Sequence, residues 1–270
     1  MEKRHQMKAG THAQCPSDRL GAHSFRILRA TVLVWLSSRL HVTVCFAPPR
    51  ILGGEETSIE EFPYMAGLER WSVFECAATI IRKSWAMTAK HCIERTETDG
   101  EVTLRVGTSD RESGGYVIGV DKIVSHSIAD IAVLHVQLEF PMGQKVQVVT
   151  LGTGSLDVDT VGTVVGWGLS GVHPSPKRMR KTTMVVVPLV KCYPRGLEEQ
   201  LNSFYCMRSQ HEGTGVCRGD SGGPFVVDNM QHGILCSGDC TGQIWERYTF
   251  TNPVSFRDWI ASVIDSSLES

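Results

Sequence analysis

The stretch Cys217-Arg218-Gly219-Asp220-Ser221-Gly222-Gly223-Pro224 constrains this chain more than any other. One serine sits among three glycines and beside an aspartate, in a segment too poor in helix formers to be helical. Glycine allows backbone turns that other residues resist. A turn of this kind presents the Ser221 hydroxyl and aims main-chain N–H groups, notably those of Gly219 and Ser221, at one point. Acyl-transfer chemistry needs that pairing of a nucleophile with donors placed where an oxyanion develops. The plainer reading is a glycine-rich surface turn. A serine hydroxyl is a weak nucleophile near neutral pH, so the reactive reading requires a histidine base and a carboxylate elsewhere.

The chain holds both. Thr88-Ala89-Lys90-His91-Cys92 follows the apolar run from Cys76 to Met87, and Asp130-Ile131-Ala132-Val133-Leu134 opens an alternating apolar segment. With these blocks in the order His, Asp, Ser, residues 51–270 resemble the chymotrypsin/trypsin-like serine protease family. The resemblance implies an all-β, trypsin-like fold: two six-stranded antiparallel β-barrels, the active site between them, and a C-terminal α-helix. It implies a serine endopeptidase with His91, Asp130 and Ser221 as catalytic residues, Gly219 and Ser221 as oxyanion donors, and neither cofactor nor metal. Protein or peptide substrates, an activating trypsin-like protease and protein inhibitors are the implied partners of a monomer. The competing reading is a homologue that has lost catalysis and acts as a binding or regulatory module. Cys236-Ser237-Gly238 stands where the family usually has Ser-Trp-Gly. A thiol is a weaker partner for the catalytic aspartate than a hydroxyl, and the lost tryptophan removes an apolar wall from the substrate groove. Lys90 replaces a common alanine beside His91; pointing inward it would oppose a charged imidazole, pointing outward it is simply solvated.

The rest of the pattern from Ile51 onward is short strands and turns. Val102, Leu104 and Val106 alternate, as do Val146 and Val148, and Thr182–Val190 reads as a buried strand. Turn signals recur at Asp99-Gly100, Ser113-Gly114-Gly115 and Gly166-Trp167-Gly168. A terminal helix is expected after Asn252, a suitable cap, with Pro253 in its first turn and Phe256, Ile260 and Ile264 on one face with Trp259 and Val263. At 270 residues and 41% hydrophobic, the chain can bury a large core in one domain or two packed lobes. A net charge of −2 argues against general affinity for nucleic acid or membrane surfaces.

Nine cysteines without a CxxC pair or zinc-type Cys/His spacing point to disulfides and an oxidising compartment. By resemblance, Cys76 pairs with Cys92, Cys192 with Cys206, and Cys217 with Cys240. A further family bridge is missing, its two positions falling at about Gly162 and Val227. Cys15 and Cys45 go with the leader, and Cys236 is read as a buried free thiol, with an intermolecular bridge as the alternative. His126, His173, His211 and His232 show no metal-binding pattern, Thr108–Gly115 is short for a calcium loop, and no Asn-x-Ser/Thr sequon occurs.

Residues 1–50 differ in kind. Basic residues run from Lys3 to Arg29, the last of them inside an apolar stretch from Ile27 to Leu36, broken by Ser37, Ser38, Arg39 and His41 before Val42–Ala47. A membrane span needs roughly 20 mostly apolar residues, so no stable span is expected. A secretory signal cleaved near Ala47 fits better and places the protein outside the cell. A signal anchor is the second reading and an upstream extension of the reading frame the third.

Pro48-Pro49 keeps the chain extended before Arg50-Ile51-Leu52-Gly53-Gly54. The resemblance therefore implies a zymogen cut after Arg50, whose new Ile51 α-amino group pairs with Asp220. Counting from Ser221 and Tyr248 puts Gly215, Val216, Gly238 and Glu246 around the primary specificity pocket. Trypsin-like enzymes have an aspartate in place of Gly215. An aliphatic or aromatic preference is expected first, a basic one through Glu246 second, and a blocked pocket third. Glu246 turned to solvent is the plainer alternative.

Overall fold

The computed structural model describes residues 51, 53–94, 102–168, 177–193, 202–238 and 240–267. The leader, Arg50, Asp99-Gly100, His173, Cys15 and Cys45 therefore lie outside the described residues. A two-residue strand β1 (Glu55–Glu56) precedes the first barrel, which is built from β2 (Met65–Arg70), β3 (Val73–Arg82), β4 (Trp85–Thr88), β5 (Val102–Val106), β6 (Tyr116–Ser125) and β7 (Ala132–Val136). These close in the order β2-β3-β4-β7-β6-β5. The Val102, Leu104, Val106 alternation falls on β5 as expected, with all three inside. The β2–β3 hairpin turns through Trp71 and Ser72 at φ of +52° and +62°, the left-handed pair that matches the twist of adjacent strands.

After β8 (Thr150–Leu151) the second barrel follows: β9 (Val161–Gly166), β10 (Arg180–Val187), β11 (Phe204–Ser209), β12 (Pro224–Val227), β13 (Met230–Ser237) and β14 (Tyr248–Thr251). Its strands run β10-β11-β14-β13-β12-β9, and pairing of β9 with β10 closes the ring. The edge pieces β1 and β8 attach to β10 and β13. Met184, Met207, Phe225, Leu235, Tyr248 and Phe250 fill this barrel, while Leu68, Ile80, Met87, Leu104 and Leu134 fill the first. Both barrels bury their large apolar side chains on inward-facing positions, the main stabilising term for a closed antiparallel sheet.

Two expectations from periodicity are corrected. The strand placed at Thr182–Val190 stops at Val187, because Pro188 has no N–H to offer a neighbour; Val190 is on a 3₁₀ turn and 58% exposed. Val146 is buried but Val148 is 37% exposed, and the segment makes a single bridge, Gly143 to Val146, in place of a strand. The terminal helix does form. Asn252 accepts the Val254 N–H, Pro253–Phe256 makes a 3₁₀ turn, and α1 (Arg257–Ser266) buries Ile260, Val263 and Ile264. No helix among the described residues is long and apolar enough to cross a membrane.

Three disulfides join Cys76 to Cys92, Cys192 to Cys206 and Cys217 to Cys240, as the resemblance implies. The site of the missing bridge is filled by an aromatic ring. A Cβ placed on Gly162 would lie 2.4 Å from the Phe225 ring and 2.7 Å from the Val226 carbonyl. Restoring only half of the pair should therefore overpack the core. Gly162→Cys is expected to lower stability by about 1–3 kcal/mol in urea unfolding under reducing conditions. An unchanged midpoint would show that Phe225 yields freely.

Candidate active site

The three candidate residues arrive from three connections that the barrels hold in register. His91 lies in a 3₁₀ turn, Lys90–Cys92, that ends β4, and the Cys76–Cys92 disulfide ties this turn back to β3. Asp130 ends the link between β6 and β7, and Ser221 lies in the link between β11 and β12. The Asp130 carboxylate grips His91 twice. One oxygen accepts the His91 main-chain N–H at 2.9 Å, and the other meets Nδ1 at 2.8 Å. A carboxylate at Nδ1 favours the tautomer with the proton there, leaving a lone pair on Nε2. Burial would raise the Asp130 carboxyl, but the hydrogen bonds and charge of His91 outweigh it and hold the group below its ordinary range. His91 Nε2 lies 3.8 Å from Cys92 Sγ, but Cys76 and Cys92 are bonded to each other and so offer no thiolates to a metal.

The serine turn is locked to the first barrel. Ala77 N–H donates to the Ser221 carbonyl at 2.8 Å, and Gly222 packs so tightly that a Cβ there would stand 2.2 Å from both the Ala77 carbonyl and Thr88 Oγ1. Gly222 has φ +79° and Gly219 φ +91°, conformations in which a side chain would be strained. Among the described residues, the N–H groups of Gly219 and Ser221 have no protein acceptor, and no hydrogen bond joins Ser221 to His91. The neighbouring Asp220 is fully buried and accepts the N–H groups of Gly168 at 2.7 Å and Cys217 at 2.9 Å. Gly166 and Gly168 leave room for it; a Cβ on either would come within 2.4 Å of its carboxylate.

Cys236 takes the place usual for serine. The Thr251 hydroxyl gives its proton to the Asp130 carbonyl at 3.0 Å, while the Cys236 thiol lies 3.0 Å from that hydroxyl oxygen, donates to the Ile234 carbonyl at 3.5 Å and has the Asp130 side chain within hydrogen-bonding reach. Burial and the Asp130 charge push the free thiol up to about 12, so it stays protonated. Ser237, in the tryptophan's place, pairs with Thr249 at 2.7 Å and is exposed. Lys90 turns to Glu94 and the Ser127 carbonyl.

A cleft of about 220 Å³ opens beside Ser221, with Val216, Arg218, Leu235, Cys236 and Gly238 on its walls. Two expected pocket residues are not among those lining it. Gly215 lies against the Tyr248 hydroxyl, and Glu246 points neither into the cleft nor to solvent. Glu246 is 6% exposed, and its carboxylate accepts the Tyr248 hydroxyl, the Thr241 hydroxyl and the Gly242 N–H. The sequence holds the signal for this, a carboxylate two residues before a tyrosine, but no spacing rule says which way the carboxylate turns.

The family model for trypsin matches residues 51–260. The chain belongs to the trypsin family. Hypodermin-A of Hypoderma lineatum is 30% identical over 71% of this chain and 78% of its own length. Trypsin epsilon of Drosophila erecta is 25% identical over 78% of this chain and 86% of its own. Among solved structures, neuropsin of mouse brain has a TM-score of 0.70 at 23% identity, covering 78% of this chain and 98% of that one. Human heparin binding protein has a TM-score of 0.69 at 22% identity, covering 79% and 96%. These two likenesses agree with the two-barrel fold described above.

The Asp220 cradle generates a pH dependence. Burial raises this carboxyl from 3.8 to about 6, against the pull of the Cys217 and Gly168 N–H groups and the charge of Arg111. Between those two values the folded chain keeps a proton that the unfolded chain has lost, so stability falls as pH rises through this window. The total loss is about 3 kcal/mol. Unfolding of the uncleaved chain by urea from pH 4 to pH 7 should show this slope, and Asp220→Asn should flatten it. Parallel slopes in the two proteins would contradict the assignment.

Proposed function

We propose that this trypsin-family chain is a serine endopeptidase, made as a secreted zymogen, with His91, Asp130 and Ser221 as its triad. The observation that carries this reading is the double grip of Asp130 on His91, through Nδ1 at 2.8 Å and the main chain at 2.9 Å. It orients the imidazole and fixes the tautomer that a general base requires. Ser221 Oγ bonds to the substrate carbonyl carbon as its proton passes to His91 Nε2. The C–N bond then breaks as that proton moves to the leaving amine. Water repeats the sequence on the acyl-enzyme, releasing the acid and restoring Ser221. The negative oxygen of each intermediate takes the free N–H groups of Gly219 and Ser221, each worth roughly 3–4 kcal/mol in comparable enzymes.

Activation follows from the same residues. Cleavage after Arg50 frees the Ile51 α-amino group, which pairs with Asp220 and orders the Gly219 donor. Two features support this. Asp220 is buried and has no ion-pair partner among the described residues. Ile51 is 1% exposed and holds φ at +36°, an unfavourable conformation for a β-branched residue inside an intact chain. The disulfides and the apolar leader segment support an extracellular location, with protein substrates and an activating trypsin-like protease as partners.

A fluorophosphonate probe should label Ser221 in the cleaved protein, and Ser221→Ala or His91→Ala should lower kcat by at least about ten-thousandfold. Absence of labelling under conditions that label trypsin would favour a non-catalytic homologue. Arg50→Gln should yield a secreted, inactive precursor; full activity in that variant would refute the activation scheme.

A further inference from the structure

Gly215 and Gly238 stand on the two walls that the Cys217–Cys240 disulfide joins. In the structure both face the same ring. A Cβ on Gly215 would lie 2.3 Å from the Tyr248 hydroxyl, and a Cβ on Gly238 would lie 2.2 Å from Tyr248 Cδ1 and 2.6 Å from Cε1. The ring thus fills the space between the walls. It is wholly buried, and its hydroxyl donates to Glu246 at 2.7 Å. Glu246 is anchored in turn by the Thr241 hydroxyl at 2.8 Å and the Gly242 N–H at 3.0 Å. The ring is therefore fixed at both its edge and its tip.

The cleft beside Ser221 shares Gly238 with this plug. It is lined by Val216, Cys217 and Leu235 to Gly238, and reaches none of Gly215, Glu246 and Tyr248. Among the described residues on its lining the one charged side chain is Arg218, which is exposed. A lysine or arginine side chain would meet a like charge at the mouth and, among the described residues lining the cleft, no carboxylate. An aromatic side chain would meet the tyrosine ring before its own was covered. A small aliphatic side chain can lie against Val216 and Leu235 without reaching the base.

We infer that Tyr248, held by Glu246, closes the base of the specificity pocket and restricts this protein to peptides with a small aliphatic residue, alanine or valine, before the bond to be cut. The inference rests on the protease reading for its consequence, but the pocket itself is testable without catalysis.

The experiment uses the full chain carrying Ser221→Ala, cleaved after Arg50, and N-acetyl tetrapeptide amides that differ only at the residue entering the cleft: alanine, valine, phenylalanine or arginine. Binding is measured by calorimetry. The alanine and valine peptides should bind at least about tenfold more tightly than the other two. Equal or tighter binding of phenylalanine or arginine overturns the inference, and so does failure of all four to bind. Adding Tyr248→Ala should remove the discrimination against phenylalanine, while Tyr248→Phe, which keeps the ring, should preserve it. Loss of discrimination in both variants, or in neither, overturns the role given to the ring. Should Tyr248→Ala not fold, the ranking in the Ser221→Ala chain decides alone. Fluorophosphonate labelling of cleaved protein with Ser221 intact is run in parallel. A negative result there strikes the protease reading, whereas the peptide ranking strikes only the pocket.

Discussion

The buried carboxylate of Asp220 sets the shape of everything around Ser221. Two N–H groups, from Gly168 and Cys217, are all that the described residues offer it directly. Two glycines make its cavity, and any side chain on them would enter the carboxylate itself. A buried charge so thinly compensated is costly, and the cost falls on a residue covalently adjacent to the candidate nucleophile. Any group that pairs with Asp220 would act directly on the Gly219–Ser221 turn, of which Asp220 is the middle residue. This links electrostatics, backbone geometry and chemistry in one short segment.

A second constraint runs between the barrels. The Ser221 carbonyl accepts its N–H from Ala77 of the first barrel, and Gly222 is pressed against Thr88, three residues before His91. Thr251 of the second barrel returns a hydrogen bond to Asp130 of the first. The three candidate residues belong to connections distant in sequence; Ser221 and Asp130 each accept a hydrogen bond from the barrel that does not supply them, and Asp130 in turn holds His91. Their geometry depends on interbarrel contacts as much as on local turns.

Much of this was legible in the sequence because it is written in short, dense blocks. Glycines around Ser221, the alternation of Val102, Leu104 and Val106, and the Asn252-Pro253 start of the last helix each have a local physical cause. The three disulfides came from the family resemblance, not from spacing. What failed had a nonlocal cause. The run from Thr182 was read through Pro188 on apolarity alone, although a missing N–H ends the ladder. Val146 and Val148 share an alternation, but the N–H groups beside them go singly to Pro63 and to Ile80 of β3, which makes no ladder. Counting along the chain places Gly215 and Glu246 in a pocket, whereas the position of the Tyr248 ring decides what surrounds them. The exchange of serine for Cys236 is visible as an identity, but the acceptors around its thiol, the Ile234 carbonyl and the Thr251 hydroxyl, are set by β13 and β14 and not by local sequence.

The replacement of a bridge by a ring at Gly162 has a consequence for the second barrel. Strands β9 and β12 meet beside this position, with Phe225 opposite Val164. A cross-link there would make the seam subject to thiol exchange, as the two remaining disulfides of this barrel are. Phe225 closes it by dispersion and apolar burial alone, forces indifferent to electron donors. One side of the barrel thus has its integrity set by the surrounding redox potential, and the other by temperature and solvent.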